Sequence, residues 1–477
     1  MILMKKAVIL SIGLLAMASC TDLNENPQAL LTAEQFYKTE PDAVAAVNSV
    51  YNGALNNGGL TMYNRLFHLA FEIMSDDAIA GLRVTNADVR SIAVLSHSTT
   101  NDRVDELWKE SYMAINRANI AIARIPSITM NETLRTRLVN EAKFLRALTY
   151  FTLVRLWGDV PLVLEETGSL EKEAIQVSRT PAEQVYQQII RDLTDAESLP
   201  NSYSGADAGR ATAGAAKAML AKVYLTRQEW SKAVAKSLEV INGPYGYDLF
   251  ENFADVFNVA TKNGKEHIFS VQCKSNVNGQ GNRLASSATP VGIAGVAAAG
   301  TDEPQPGVYK LYSATDKRRD VTFFTSLVSP TTGKAVTFEP RFFKYFDPAQ
   351  TANPTESAKN IPVIRFAEIL LIYAESLNEV GAPTGEAYSA INRVRKRAGL
   401  AALENLTQVQ FREAVYTERR LELMFEFQRW FDLIRTKRMI TALHAAGKPN
   451  AAEKHYLHPI PQREIDLNPK LTQNPGW

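Results

Sequence analysis

The sequence predicts an all-α fold of paired antiparallel helices, interrupted by one long irregular stretch with a few short strands. Three observations carry this expectation. Apolar residues recur at helical spacing over most of the chain, the helical runs come in twos joined by short polar links, and Pro, Asn and Gly stand where the runs begin and end. With 477 residues, 45% hydrophobic and 22% charged, the chain has ample material for a large core.

The first segment is not part of that fold. Lys5 and Lys6 precede an apolar run from Ala7 to Met17, broken only by Ser11 and Gly13. A spanning helix needs about 20 apolar residues, so the run reads as a signal peptide over residues 1–19. Met17-Ala18-Ser19-Cys20 resembles the lipobox cut by lipoprotein signal peptidase, which makes Cys20 the lipidated mature N-terminus. A single acyl chain binds membranes only marginally, with a constant of about 10⁴ M⁻¹, whereas several chains anchor stably. Residues 20–31 form a polar, Pro-containing spacer. Its Asp22 and Glu25 fit a surface-export signal and a plain linker equally well.

Residues 32–477 are expected to form one domain, helical over 32–273, irregular over 274–360 and helical again over 361–477. Thr32-Ala33-Glu34-Gln35 offers an N-cap, and Pro41-Asp42 opens a helix with Ala43, Val47, Val50 and Tyr51 on one face. Asp105 to Ile125 and Glu132 to Leu156 carry facing apolar stripes, closed by Pro126 and by Trp157-Gly158-Asp159. Pro181 opens a helix to about Leu199. Ala211 to Thr226 and Trp230 to Ile241 form a hairpin in which Ala215, Ala218 and Ala221 permit close approach, a pattern similar to a tetratricopeptide repeat without a strict period. Arg365 to Val380 and Pro383 to Ala398 form a last pair. Ile268 to Val271 reads as a buried strand and Val321 to Phe324 as a short one. A long irregular insertion in a helical scaffold is usually functional or mobile.

The chemistry-bearing residues read mostly as structural. Lys plus Arg total 52 against 51 Asp plus Glu, without a basic stripe, so nucleic acid is not an expected partner. Cys273 follows a buried run and is expected to be an inert thiol. Glu422 and Glu426, four apart, could mimic a glycosidase pair, but Arg419, Arg429 and Arg435 at helical spacing favour an ion-pair network on a helix. His455 and His458 lack further ligands for a metal, and Gly279-x-Gly281 lacks the context of a phosphate loop. The tryptophans all fall in or beside helices or at the C-terminus, where a core role is expected.

The motifs become specific from Arg365 onward: RFAEILLIYAESLNE (365–379), INRVRKRAGL (391–400), ERRLEL (418–423), WFDLIR (430–435), Pro459-Ile460-Pro461 and QNPGW (473–477). With Asn24-Glu25-Asn26-Pro27 and the segment from Leu107-Trp108 to Asn119, this series resembles the SusD/RagB family over essentially the whole mature chain. The resemblance implies four tetratricopeptide-like helix pairs in a right-handed superhelical scaffold with long irregular loops. It also implies an outer-membrane lipoprotein facing the cell exterior, a non-catalytic glycan binder that delivers its ligand to a SusC-like TonB-dependent transporter and uses no cofactor. On that geometry the ligand site falls on loops after the first helices and in the insertion, with Arg83, Asn86, Arg90, Asn276, Asn278 and Tyr309 as candidates. The alternatives are a scaffold that docks a partner without binding sugar, and a binder of another nutrient such as peptides.

Overall fold

Helix α1 (Glu40–Ala54) starts where Thr39 and Asp42 close on each other, the Thr39 N–H donating to Asp42 Oδ2 at 2.8 Å. The computed structural model describes residues 36–55, 62–167, 171, 175–277 and 279–477. The leader, Cys20, the spacer, the Thr32 cap and Asn278 lie outside these residues.

Strand β1 (Ala78–Ala80) and the short helix α2 (Ala87–Ala93) follow. Helix α3 (Asp102–Arg124) is capped by Asn101, whose Oδ1 accepts from the N–H groups of Arg103 (3.0 Å) and Val104 (3.3 Å). Helix α4 (Glu132–Trp157) begins at Asn131 and ends at Gly158, whose φ of +71° is open to glycine at little cost. Helices α5 (Ala182–Ala196), α6 (Ala213–Thr226) and α7 (Trp230–Ile241) come next, the hairpin of the last two within a residue or two of the sequence expectation. After the insertion, α8 (Phe366–Val380), α9 (Gly385–Arg397) and α10 (Gln408–Glu422) complete the set, α10 behind a Thr407–Gln410 capping box.

These helices stack largely in chain order: α3 lies on α1 and α4, α4 on α5, α5 on α6, α6 on α7, α7 on α8, and α8 on α9 and α10. This is tetratricopeptide-like stacking, with each pair burying the face its neighbour leaves open. Ala215, Ala218 and Ala221 are fully buried, as close helix approach requires, and the second half of α4 is buried nearly all round. Trp108, Trp157 and Trp430 belong to the core; Trp230 is half-buried against it. The C-terminal motifs clasp this body. Trp157 Nε1 donates to the Pro459 carbonyl at 2.8 Å, and the Asn474 amide donates to the carbonyls of Trp157 (3.1 Å) and His458 (2.7 Å).

Among the described residues between 274 and 360 only short elements occur: the helical turns Leu284–Ala288, Val308–Leu311, Arg319–Thr322, Pro348–Gln350 and Pro354–Glu356, strand β3 (Asp302–Pro304), and the hairpin of β4 (Phe323–Val328) and β5 (Ala335–Phe342). The run from Val321 was expected to be extended; its first residues instead complete a helical turn, and the strand begins at Phe323. Strands β2 (His267–Val271) and β6 (Ile361–Arg365) pair antiparallel, so both ends of this segment leave from one point on the helical body. The β1–β3 pairing ties its middle to the polar segment before α2. Among the described residues no helix is long and apolar enough to cross a membrane.

Candidate functional site

Residues Met62–Leu66 form one wide, π-type helical turn, a local geometry often found at functional sites. The turn buries Asn64, which donates from Nδ2 to the Gly281 carbonyl (2.6 Å) and accepts at Oδ1 from the Arg283 N–H (2.7 Å). One amide thereby fastens the insertion to a segment more than two hundred positions earlier. The β1–β3 ladder makes a second fastening, and His68 Nδ1 stands 2.7 Å from Asp302 Oδ2, both side chains buried.

These fastenings enclose a cavity of about 400 Å³. Its walls are Asn64, Arg65, His68 and Leu69 from the wide turn and its continuation, and Arg83, Val84, Thr85, Asn86 and Val89 from the β1–α2 segment. Arg103 of α3 and Arg283, Ser286, Ser287, Ala299, Thr301 and Thr355 of the insertion complete them. Arg83 is exposed, Arg65 and Arg283 are half-buried, and Arg103 is buried. Arg103 pairs with Glu106 and keeps its buried Nε without a partner. Burial, then the charges of Arg103 and Arg283, lower the proton affinity of Arg65, with Glu106 opposing.

A larger cavity of about 540 Å³ lies beside Tyr203, Tyr245 and Tyr247. Its polar groups are mostly engaged within the protein: Arg210 with Glu141 and Asp207, the Lys262 amine with the Cys273 carbonyl (2.6 Å), and Asn263 with Gln272 (2.9 Å). The cavity with open donors is the better ligand site.

Of the residues expected from sequence, Arg83 and Asn86 line that cavity. Asn86 also caps α2, its Oδ1 accepting from the Val89 N–H at 3.0 Å. Arg90, one turn farther along α2, is exposed and not part of the lining. Asn276 is exposed in a left-handed turn (φ 57°), a conformation Asn tolerates, and stands outside the cavity. Tyr309 packs against the core, edge-on to Phe323 at 5.6 Å and under the Arg319 guanidinium at 5.3 Å. Arg65, Arg103 and Arg283 escaped the sequence reading; Arg283 ends the Asn/Gly-rich run from which only asparagines were chosen.

The carboxylates that invited a hydrolase reading are engaged elsewhere. Helix α10 stops at Glu422, and the next residues reverse through Phe425 and Phe427, both at positive φ (59° and 62°), so Glu426 is not on the helical face of Glu422. For Glu422 and Glu426 the expected pairing at helical spacing is replaced by long-range pairs, whereas Arg435 does pair with Asp432 three residues before it. Glu422 meets Arg318, Arg365 and Arg397; Glu426 meets Lys344 and Arg365; Glu418 meets Arg318 and Arg395; and Glu266 meets Arg365 and Arg397. Arg419 and Arg435 share Asp432, while Arg429 reaches Asp76. His455 and His458 pack with His97, their ring centroids 5.8 and 5.7 Å from its own, under Trp477. Burial pushes the Cys273 thiol up to about 12, which suits an inert role.

A stack of paired helices presenting a polar cavity built from loops is the architecture of a helical-repeat binding protein. Residues 325–477 match the model of the SusD family, and residues 30–225 match a model described as "Starch-binding associating with outer membrane". SusD-like protein P2 of Formosa agariphila is 33% identical over 97% of this chain and 98% of its own length. A SusD superfamily protein from Parabacteroides distasonis superimposes with a TM-score of 0.80 at 28% identity, covering 94% of this chain and 100% of its own. A laminarin-binding SusD-like protein gives 0.80 at 28% identity over 92% of this chain and 100% of its own. The chain belongs to the SusD family.

Proposed function

We propose that this protein is a cell-surface glycan-binding lipoprotein that captures oligo- or polysaccharide, passes it to a SusC-like TonB-dependent transporter in the outer membrane, and performs no chemistry on it. The observation that carries this reading is the cavity of about 400 Å³ on which guanidinium, amide and hydroxyl groups from four separate segments converge, the guanidiniums of Arg65, Arg83 and Arg283 held in no ion pair or side-chain hydrogen bond among the described residues. Convergent donors of this kind suit the many hydroxyls of a sugar chain. The binding of laminarin by a structural relative supports the ligand class. The capture-only reading is supported by the ion-paired state of Glu418, Glu422 and Glu426, which leaves them unsuited to acid–base work. Tethering through acylated Cys20 would hold the cavity at the membrane surface beside a barrel.

Affinity electrophoresis of the mature protein against a polysaccharide panel tests capture. Retardation by at least one glycan, with no release of reducing ends, is expected. Hydrolysis, or binding to nothing in the panel, would count against the reading. Partition into the detergent phase that is abolished by Cys20→Ser, and co-purification with a barrel, test the anchor and the partner.

A further inference from the structure

We infer that the cavity is built for an anionic glycan, a chain bearing uronic-acid carboxylates or sulfate esters, because Arg65, Arg83, Arg103 and Arg283 converge on it while none of its lining residues among those described is Asp or Glu. This inference rests on the glycan-binding reading above and narrows it to a substrate class.

Most of the other enclosed arginines in this chain are paired with acids. Arg146, Arg318, Arg365, Arg397, Arg419 and Arg435 each face a carboxylate within ion-pair distance; Arg155 and Arg179, which do not, are held instead by the Phe151 carbonyl and two phenyl rings and by carbonyls and the Asn474 amide. Arg65, Arg83 and Arg283 have no ion pair or side-chain hydrogen bond among the described residues, although two of them are half-buried. Half-burying a guanidinium without a partner costs free energy that pairing would offset, so such a grouping points to a charge supplied from outside. Nearby acids do not supply it. Glu106 is held by Arg103 and Asp302 lies against His68; Glu356, next to the lining residue Thr355, keeps a buried Oε2 without a hydrogen-bond partner but is not in the lining and forms no ion pair with any of the four arginines.

The second observation is what the cavity lacks. None of its lining residues among those described is Phe, Tyr or Trp. A neutral glucan would find only the His68 imidazole, buried against Asp302, and no phenyl, phenol or indole face on which to stack its pyranose rings. Leu69, Val84, Val89 and Ala299 supply modest apolar wall, whereas the planar guanidinium forks match carboxylate and sulfate oxygens two at a time. Ser286, Ser287, Thr85 and Thr301 can then serve the remaining hydroxyls.

The test is calorimetric titration of the mature protein with four probes: an oligogalacturonide (carboxylate), a sulfated galactan oligosaccharide (sulfate ester), laminarihexaose (neutral) and an oligoglutamate (anionic but not a sugar). Expected is at least about tenfold tighter binding of one acidic sugar than of laminarihexaose, weakening as salt rises from about 50 to about 500 mM. The variant Arg65→Gln/Arg283→Gln should lose about ten- to hundredfold for that probe, the range for hydrogen bonds to charged groups, and keep its thermal midpoint. Should that variant fold poorly, exposed Arg83→Gln should still lose severalfold. Laminarihexaose binding equal to or tighter than the acidic sugars, insensitive to these variants, would overturn the anionic assignment and leave glycan capture standing. Oligoglutamate binding tighter than either acidic sugar would overturn the sugar part. Binding to none of the four would sink both.

Discussion

Replacing Arg365 by Met removes the hub of the buried charge network while keeping much of its volume. Arg365 is 1% exposed and donates from Nε to Glu426 Oε2 (2.8 Å), from Nη1 to Glu266 Oε1 (2.8 Å) and to Glu422, and from Nη2 to the Glu422 carbonyl (2.7 Å). The surrounding set is balanced, with Arg318, Lys344, Arg365, Arg395 and Arg397 facing Glu266, Asp316, Glu418, Glu422 and Glu426. Loss of one cation leaves an excess negative charge in a buried site, and breaking a buried pair from one side costs about 3–5 kcal/mol. Every carboxylate keeps a second partner, namely Arg397 for Glu266, Arg318 and Arg397 for Glu422, and Lys344 for Glu426. The expectation is therefore the lower end, about 3 kcal/mol. Its pH dependence has a definite sign. Burial pushes Glu422 and Glu426 up, but the cations outweigh it, Arg397 foremost for Glu422 and Arg365 for Glu426, and hold both below the usual 4.5. The stabilisation they give is present above about pH 4.5 and lost as pH falls below it. In the variant these carboxylates titrate higher, so its deficit against the parent should be largest near neutral pH and shrink toward about pH 4.5. Urea unfolding followed by tryptophan fluorescence, at both pH values, reads this directly. Arg365→Met/Glu426→Gln, which restores the balance, should recover at least about 1 kcal/mol. A deficit below about 1 kcal/mol at neutral pH, or one that widens on acidification, would refute the reasoning.

Two further outcomes follow from other parts of the molecule. Burial pushes His97, His455 and His458 down to about 2, 4 and 3, so all are neutral in the fold and protonate on unfolding. The stability they permit is full above about pH 6.5 and erodes as pH falls through it, by up to about 1.4 kcal/mol per unit for each ring. Thermal midpoints between about pH 7.5 and 4.5 should show this loss, and His97→Phe should reduce its slope. Asn101 caps α3 and also donates from Nδ2 to the Asp88 carbonyl (3.0 Å) and to Ser91 Oγ (3.2 Å), locking α2 against the start of α3. Asn101→Ala should cost about 1–3 kcal/mol in urea unfolding and weaken glycan binding, because it loosens Asn86 and Arg103 together. Unchanged affinity would place the cap outside the site's support.

The helical body was legible because its signals are local. Asn131, Thr212, Thr384 and Thr407 accept from the first turns of their helices, and Gly158 takes the positive φ at the end of α4. The paired carboxylates were read correctly as ion-paired but with the wrong partners. A spacing of four implies a helix, and nothing local shows that α10 ends at Glu422, where the chain turns through Phe425 and Phe427. The cavity was half legible. Arg83 and Asn86 stand in a polar break between helices, which sequence marks as a loop. Arg65 sits in a turn whose width leaves no sequence signature, and Arg103 reads as an ordinary first-turn residue of a helix. Arg283 joins them only through the Asn64 amide, a contact no short window contains.

The same residue type thus plays two roles that composition does not separate, and pairing does. Arg365 and Arg397 are enclosed with their counter-ions, so their charge is spent on joining β6 and α9 to α10 and cannot attract a ligand. Arg65 and Arg283 stand half-buried where the wide turn meets the insertion, and no carboxylate has been placed against either. A fold that pairs Arg146, Arg318, Arg365, Arg397 and Arg419 with acids could have paired these two with one acidic residue on the adjoining loop. Leaving them unpaired keeps the cost of their partial desolvation open until an anion arrives, so the free energy of that pairing accrues to binding and not to folding.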